Sequence, residues 1–147
     1  MNIEEAMLKV AEGIYNRLVE LGADQRTIQC KACHWQRRIS DTFGMAARVQ
    51  LAAWVEYCLD QLPEQPWSAE LVVRRETKNF PIEGHRHPNT KSSVFLKTWF
   101  GEPTILEDGP AKVGATLFLK DEWHAAPDTK EPRLVTLLYC KFEKDQF

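Results

Sequence analysis

The chain has 147 residues, enough to bury one core and too few for two large independent domains. Hydrophobic residues at 44% and charged residues at 27% exclude a disordered or fibrous class. Residues 1–64 hold seven Lys/Arg against nine Asp/Glu and residues 65–147 hold twelve of each, so neither half offers the clustered basic surface that nucleic-acid binding requires.

No apolar run reaches the roughly 18 to 20 residues of a membrane-crossing helix. The first residues follow an acidic amphipathic pattern rather than a basic region and an apolar stretch. The expectation is a cytoplasmic protein with no membrane partner, in which Cys30, Cys33, Cys58 and Cys140 stay reduced.

Residues 1–64 read as a helical segment. Ile3, Met7, Val10, Ile14, Leu18 and Leu21 recur at spacings of three and four, which makes one helix face, and Gly22 ends it. Asp24 is positioned to cap a second helix reaching about Arg38, and Ser40 or Asp41 to cap a third that runs to Leu62. In the third, Ala47, Leu51, Val55, Cys58 and Leu62 share a face that Ala52 and Leu59 widen, so it should bury against something broader than one helix. Pro63-Glu64-Gln65-Pro66 breaks the pattern.

Beyond that break the period changes. Leu71-Val72-Val73, residues 93–100, Thr104-Ile105-Leu106, residues 115–119 and residues 134–139 are short β-favouring runs separated by Asn, Gly, Pro and Asp. Such spacing points to an antiparallel sandwich or barrel.

Three of the four histidines fall in this half, two of them in Gly84-His85-Arg86-His87-Pro88. On an extended strand residues i and i+2 share a face, so His85 and His87 can present both imidazoles to one space. With a third ligand from another strand, imidazoles suit iron, nickel, copper, zinc or manganese. Surface or core histidines are the plain alternative. The stretch from Gly114 to His124 and Asp128 adds weight to the metal reading.

Over residues 67–147 the chain resembles the cupin superfamily. His85 and His87 stand at the first histidine pair, Gly101 at the closing glycine, Gly114 at the opening of the second motif and His124 at the third ligand. Asp128 stands where an asparagine is usual, and Lys91 stands where the family carries a carboxylate, with no Asp or Glu between Pro88 and Phe100. The turn before His124 reads Lys120-Asp121-Glu122 in place of Pro-x-Gly. The resemblance therefore implies either a three-histidine centre or a fold that has lost its metal. Its implied fold class is α+β, with N-terminal helices (residues 1–64) packed on a small antiparallel cupin-type β-barrel, or jelly roll (residues 67–147).

The chain also looks faintly like the three-histidine thiol dioxygenases, through Phe95-Leu96-Lys97 after the pair and the run from Glu131-Pro132 to Tyr139. Val135 and Leu137 replace the serine and histidine of that run, and Tyr139 alone is kept. This likeness implies a divalent metal, iron(II) first with zinc, manganese or nickel as alternatives, held by His85, His87 and His124. It implies a small-molecule substrate, with Tyr139 donating a hydrogen bond to bound oxygen. Arg74, Arg75 or Arg86 would hold a substrate carboxylate, unless these arginines lie on a solvated outer face. Glu102, Glu107 and Asp128 are further ligand candidates that turn chemistry explains as well.

Cys30-Lys31-Ala32-Cys33-His34 matches the haem-attachment spacing once, and with Cys58 it suggests a zinc set; buried cysteines acting as small apolar residues are the default. The function expected is a metal-dependent cupin enzyme, a non-haem iron dioxygenase. The alternatives are a non-catalytic cupin binding a small ligand or a protein partner, and a cupin isomerase. A homodimer is expected by analogy.

Overall fold

A computed structural model describes residues 2–30, 35–76, 82–85, 92–119, 124–126 and 131–142, with backbone alone at residues 30, 35, 36, 82–85, 92 and 126. Helix α1 (Ile3–Glu20) follows the expected periodicity and buries Met7, Ala11, Ile14 and Leu18. The Asn2 side chain accepts the Glu5 backbone N–H at 2.8 Å, and Glu4 and Glu5 lie at the positive end of the helix dipole. At the other end Gly22 takes φ +63°. Ala23 N–H then reaches Leu18 O and Gly22 N–H reaches Val19 O, both at 3.0 Å, which closes the helix as a Schellman turn.

Residues 24–38 depart from expectation. Asp24 caps no helix: its carbonyl accepts the Arg75 N–H at 2.9 Å and its carboxylate pairs with the Arg75 guanidinium at 3.2 Å. Strand β1 (Gln25–Cys30) follows and pairs antiparallel with β2 (Ser68–Glu76), Ile28 opposite Leu71. All six residues pair with β2 instead of continuing a helix, and among residues 25–29 only Ile28 is buried. Cys30 therefore lies on a strand, and Lys31, Ala32, Cys33 and His34 lie outside the described residues.

Helix α2 (Trp35–Leu59) replaces the two remaining predicted helices. Neither Ser40 nor Asp41 starts it; the Ser40 and Thr42 hydroxyls donate back to the carbonyls of Arg37 and Arg38. The break comes at Gly44, with φ 85° and ψ 178°. Beyond it Ala47, Leu51, Ala52, Trp54, Val55 and Cys58 are buried, the broad face anticipated from sequence. Each large aliphatic side chain so buried contributes about 1.5–3 kcal/mol.

The remaining strands are β3 (Ile82–His85), β4 (Ser92–Phe100), β5 (Ile105–Leu106), β6 (Gly109–Pro110), β7 (Thr116–Leu119), β8 (His124–Ala126) and β9 (Arg133–Lys141). They form two antiparallel sheets, ordered β1-β2-β9-β4-β7 and β3-β8-β5-β6. From β2 to β9 the chain passes back and forth between the sheets, which is jelly-roll wiring. Among the described residues no ladder joins the two sheets into a closed barrel.

Two apolar layers result. Phe95, Trp99, Leu134, Leu138, Leu71 and Val73 pack outward against α1 and α2. Val72, Val94, Leu96, Leu119, Val135 and Leu137 pack inward between the sheets. In the outer layer Trp54 meets Trp99 edge-on at 5.9 Å, and the Trp99 indole donates to Thr136 Oγ1 at 2.8 Å. Lys97 is also held there, 1% exposed, with Nζ 3.1 Å from Glu4 and 4.4 Å from the Trp99 ring centre. No described helix is long and apolar enough to cross a membrane.

Cys58 and Cys140 are free and buried in this outer layer. Burial pushes both thiols up to about 12, with each Cys58 proton further retained by Cys140 and partly released by Lys97. The folded protein keeps protons that the unfolded chain gives up near pH 9, so stability is full below that pH and falls as pH climbs from 9 toward 12. We expect the melting temperature to drop through that window, less steeply in a Cys58→Ala/Cys140→Ala protein. We also expect both thiols to resist a thiol reagent at neutral pH until denaturant is added; immediate labelling would contradict this packing.

Candidate functional site

His124 begins β8, where its two cross-strand neighbours are position 85 of β3 and Leu106 of β5. Residues directly opposite in antiparallel strands share a face, with Cβ atoms about 4.5–5.5 Å apart. Leu106 packs on the inter-sheet cluster, so this face is the inner one, and His124 is only 3% exposed. The register thus sets positions 85 and 124 side by side although 39 residues separate them in the chain. The ladder carries an irregularity between Ile82 and His85. The side chain of His85, and all of Arg86, His87 and Asp128, lie outside the described residues. Among the described residues no three His, Cys, Asp or Glu side chains converge on a metal-sized site.

The opposing sheet supplies charge. Val72, Val135 and Leu137 point inward, so alternation puts Glu70, Arg74, Glu76, Arg133, Tyr139 and Lys141 on that same face. Glu76, 1% exposed, sits between two arginines. Arg133, fully buried, donates through Nε to Glu76 Oε2 and through Nη1 to the carbonyls of Glu102 at 3.3 Å and Pro103 at 3.4 Å. Arg74 Nε lies 3.3 Å from Glu76 Oε1 without hydrogen-bond alignment, a contact of charge rather than a directed bond.

Farther along, the Lys141 ammonium is 2.6 Å from Glu70, and Gln29 donates to the same carboxylate. Burial pushes the Glu70 carboxyl up, but hydrogen bonds from Lys141 and Gln29 outweigh it and hold the group below the usual carboxylate range. Tyr139 packs against the inter-sheet cluster. Burial pushes its phenol up, Arg74 opposes and Glu70 adds to the rise, so at neutral pH the hydroxyl is a donor.

Arg74 thus turns inward, with a side chain 14% exposed, rather than onto a solvated face. Arg75 turns the other way, its Nε donating to Ala23 O at 2.9 Å and its guanidinium lying 5.9 Å from the Tyr15 ring. Glu102 gives its backbone carbonyl to Arg133, and Glu107 is exposed in the tight turn between β5 and β6. The buried Glu76–Arg133 pair was not singled out from sequence. Its one signal is a charged residue at each outer end of two apolar strands that prove to be neighbours.

No protein-family model and no curated protein matches this sequence. A dioxygenase for auxin oxidation in rice superposes with a TM-score of 0.64, covering 97% of this chain and 70% of that one at 11% identity. A viral collagen prolyl hydroxylase from Paramecium bursaria Chlorella virus-1 is similar at TM-score 0.48, covering 95% of this chain and 84% of that one at 10% identity. An uncharacterized double-stranded β-helix protein from Klebsiella pneumoniae is similar at TM-score 0.41, covering 56% and 69% at 19% identity. The rice likeness is one of fold alone, and it takes in the helices as well as the sheets. In its fold this chain is similar to that rice protein, with the nine described strands in two antiparallel sheets and two helices beside them.

Proposed function

We propose that this chain is a metal-dependent enzyme in which His85, His87 and His124 hold iron(II) between the sheets and a small molecule is oxidised by dioxygen. Residues 67–147 carry the chemistry as a cupin barrel and residues 1–64 are its supporting layer. The observation that supports the reading is the cross-strand pairing of positions 85 and 124, joined to the burial of His124 on the inner face. A buried histidine beside a second histidine position is a donor set of the type that divalent transition metals take. The fold is shared with a rice protein described as a dioxygenase.

Bound iron(II) would supply open coordination positions for a substrate and dioxygen. The protein's own groups then position the reactants. Tyr139 keeps its proton at neutral pH and donates it in a hydrogen bond to a substrate or oxygen atom on the inner face. Arg74, steadied by Glu76, is the group we assign to a substrate carboxylate, with Arg86 as the second candidate. The apolar walls of Val72, Val94, Leu96 and Leu137 exclude water from the space these groups share.

Element analysis of protein purified without an affinity tag tests this reading. Stoichiometric iron is expected, with affinity falling about a hundredfold or more in each of His85→Ala, His87→Ala and His124→Ala while the circular dichroism spectrum is kept. Oxygen uptake with small thiols, diketones and phenolics then reads the reaction class. Protein that takes up no iron, zinc, manganese or nickel under anaerobic loading would overturn the proposal.

A further inference from the structure

Lys97 points from the middle of β4 into the apolar outer layer, where a cation is costly to bury. Thr116 and Thr136 stand opposite it on β7 and β9, yet its Nζ makes no aligned hydrogen bond with any described group. The ammonium is held by the Trp99 ring, its centre 4.4 Å away, and by Glu4 Oε1 at 3.1 Å. The two ends of this ion pair are unequal: Glu4 is 51% exposed and keeps much of its water, whereas Lys97, at 1%, has given up nearly all. Glu4 also belongs to the first turn of α1, whose positive end would repel the ammonium without it.

The ties along α1 are unequal too. In its second half Arg17 Nε donates to Thr42 O at 3.1 Å, and the Tyr15 ring centre lies 5.9 Å from both the Phe100 ring centre and the Arg75 guanidinium. The first half buries Met7 and Ala11, and among the described residues Glu4–Lys97 is the one polar tie from it to another element. Gly13, which weakens a helix where it stands, divides the halves. Nothing lies within 4 Å of a Cβ built there, so packing does not require it.

We propose that residues 3–12 are a strap, strained by the buried Lys97 ammonium and latched by Glu4, that opens at Gly13 as a unit and uncovers Lys97 and Trp99 while the rest of the fold stays closed. Lys97 regains water in the open form, which offsets the lost contacts of Met7 and Ala11. The two charges therefore act differently. Neutralising Glu4 leaves an ammonium buried against the start of a helix and drives the strap open. Replacing Lys97 with an apolar chain of like length removes the strain and leaves Glu4 in water, so the strap stays shut. An ion pair that only adds stability would lose the same contact either way. The proposal is independent of the metal reading.

Hydrogen exchange of single amides in the full chain, followed by NMR, tests this. The helix-bonded amides from Ala6 to Glu12 are expected to share one opening constant that urea changes only weakly. Those of residues 15–20 and of β9 should be better protected and strongly urea-dependent, as global unfolding requires. Glu4→Gln should speed the first set about thirtyfold while its weak urea dependence is kept. Lys97→Met should leave that set at least as protected as in the parent, and in the Lys97→Met background Glu4→Gln should change it by less than about twofold. Protection that rises residue by residue from 6 to 12 would be fraying and overturns the proposal. So does a first half that shares the protection and urea dependence of β9, a Glu4→Gln chain no faster than the parent, or equal opening in Glu4→Gln and Lys97→Met. Glu4 is half-exposed, so its variant keeps the fold even if Lys97→Met does not, and the urea dependence alone then decides.

Discussion

Arg133→Met is expected to destabilise the protein by about 3–5 kcal/mol, the usual cost of breaking a buried ion pair on one side. Glu76 is 1% exposed and cannot recover its lost partner from water. The carbonyls of Glu102 and Pro103 lose a donor in the same step. Methionine matches the stem of arginine, so the loss reports charge and hydrogen bonding more than volume. Arg74→Met should cost less, about 1–2 kcal/mol, because Glu76 keeps its bond to Arg133. Removing charge from both sides, as Glu76→Leu/Arg133→Met, should return much of the loss. Urea unfolding with unchanged m-values reads all of these; an Arg133→Met protein within about 0.5 kcal/mol of the parent would mean that the pair contributes no net stability.

Gly101→Ala is expected to be at least as damaging, about 4 kcal/mol or more. Two effects add. With φ at +94°, any side chain forces a conformation that costs about 1–2 kcal/mol. The new Cβ would also stand 2.5 Å from Arg133 Cβ and Pro132 O and 2.6 Å from Arg133 Cα, atoms that move only if the start of β9 moves. Gly109 and Gly114 also have positive φ, but nothing lies within 4 Å of a Cβ built on either. Alanine there should cost the backbone term alone. The difference in melting temperature between Gly101→Ala and Gly114→Ala isolates the close approach, and equal melting temperatures would contradict it.

The parts legible in the sequence are those whose signal is local. The apolar repeat of α1 and its Gly22 stop needed no partner to be read, and the runs later found in β2, β4, β5, β7 and β9 announce themselves by β-branched and aromatic content. Strand β1 was hidden because Gln25, Arg26, Thr27 and Gln29 are exposed and leave Ile28 as a lone apolar signal, and its strand character comes from the edge of β2. The kink at Gly44 was hidden because glycine inside an apolar repeat reads as a tolerated interruption.

In the candidate site, His85 and His124 were singled out through the resemblance, while His87 lies outside the described residues. That position 85 falls opposite 124 is a matter of register, which a single chain does not display. The inward turn of Arg74 was equally invisible, since Arg74 and Arg75 alternate between faces and only the packed layers say which face is which.

The five-stranded sheet has β9 at its middle, flanked by β2 and β4 along nearly its whole length. It is also the last described strand to be translated. Until it emerges from the ribosome, β2 and β4 have no neighbour between them and both apolar layers lack their central row. The nascent chain must therefore wait with open strand edges, the condition that invites chaperones and mispairing, and assembly must come late and at once, as expected of a topology governed by distant contacts.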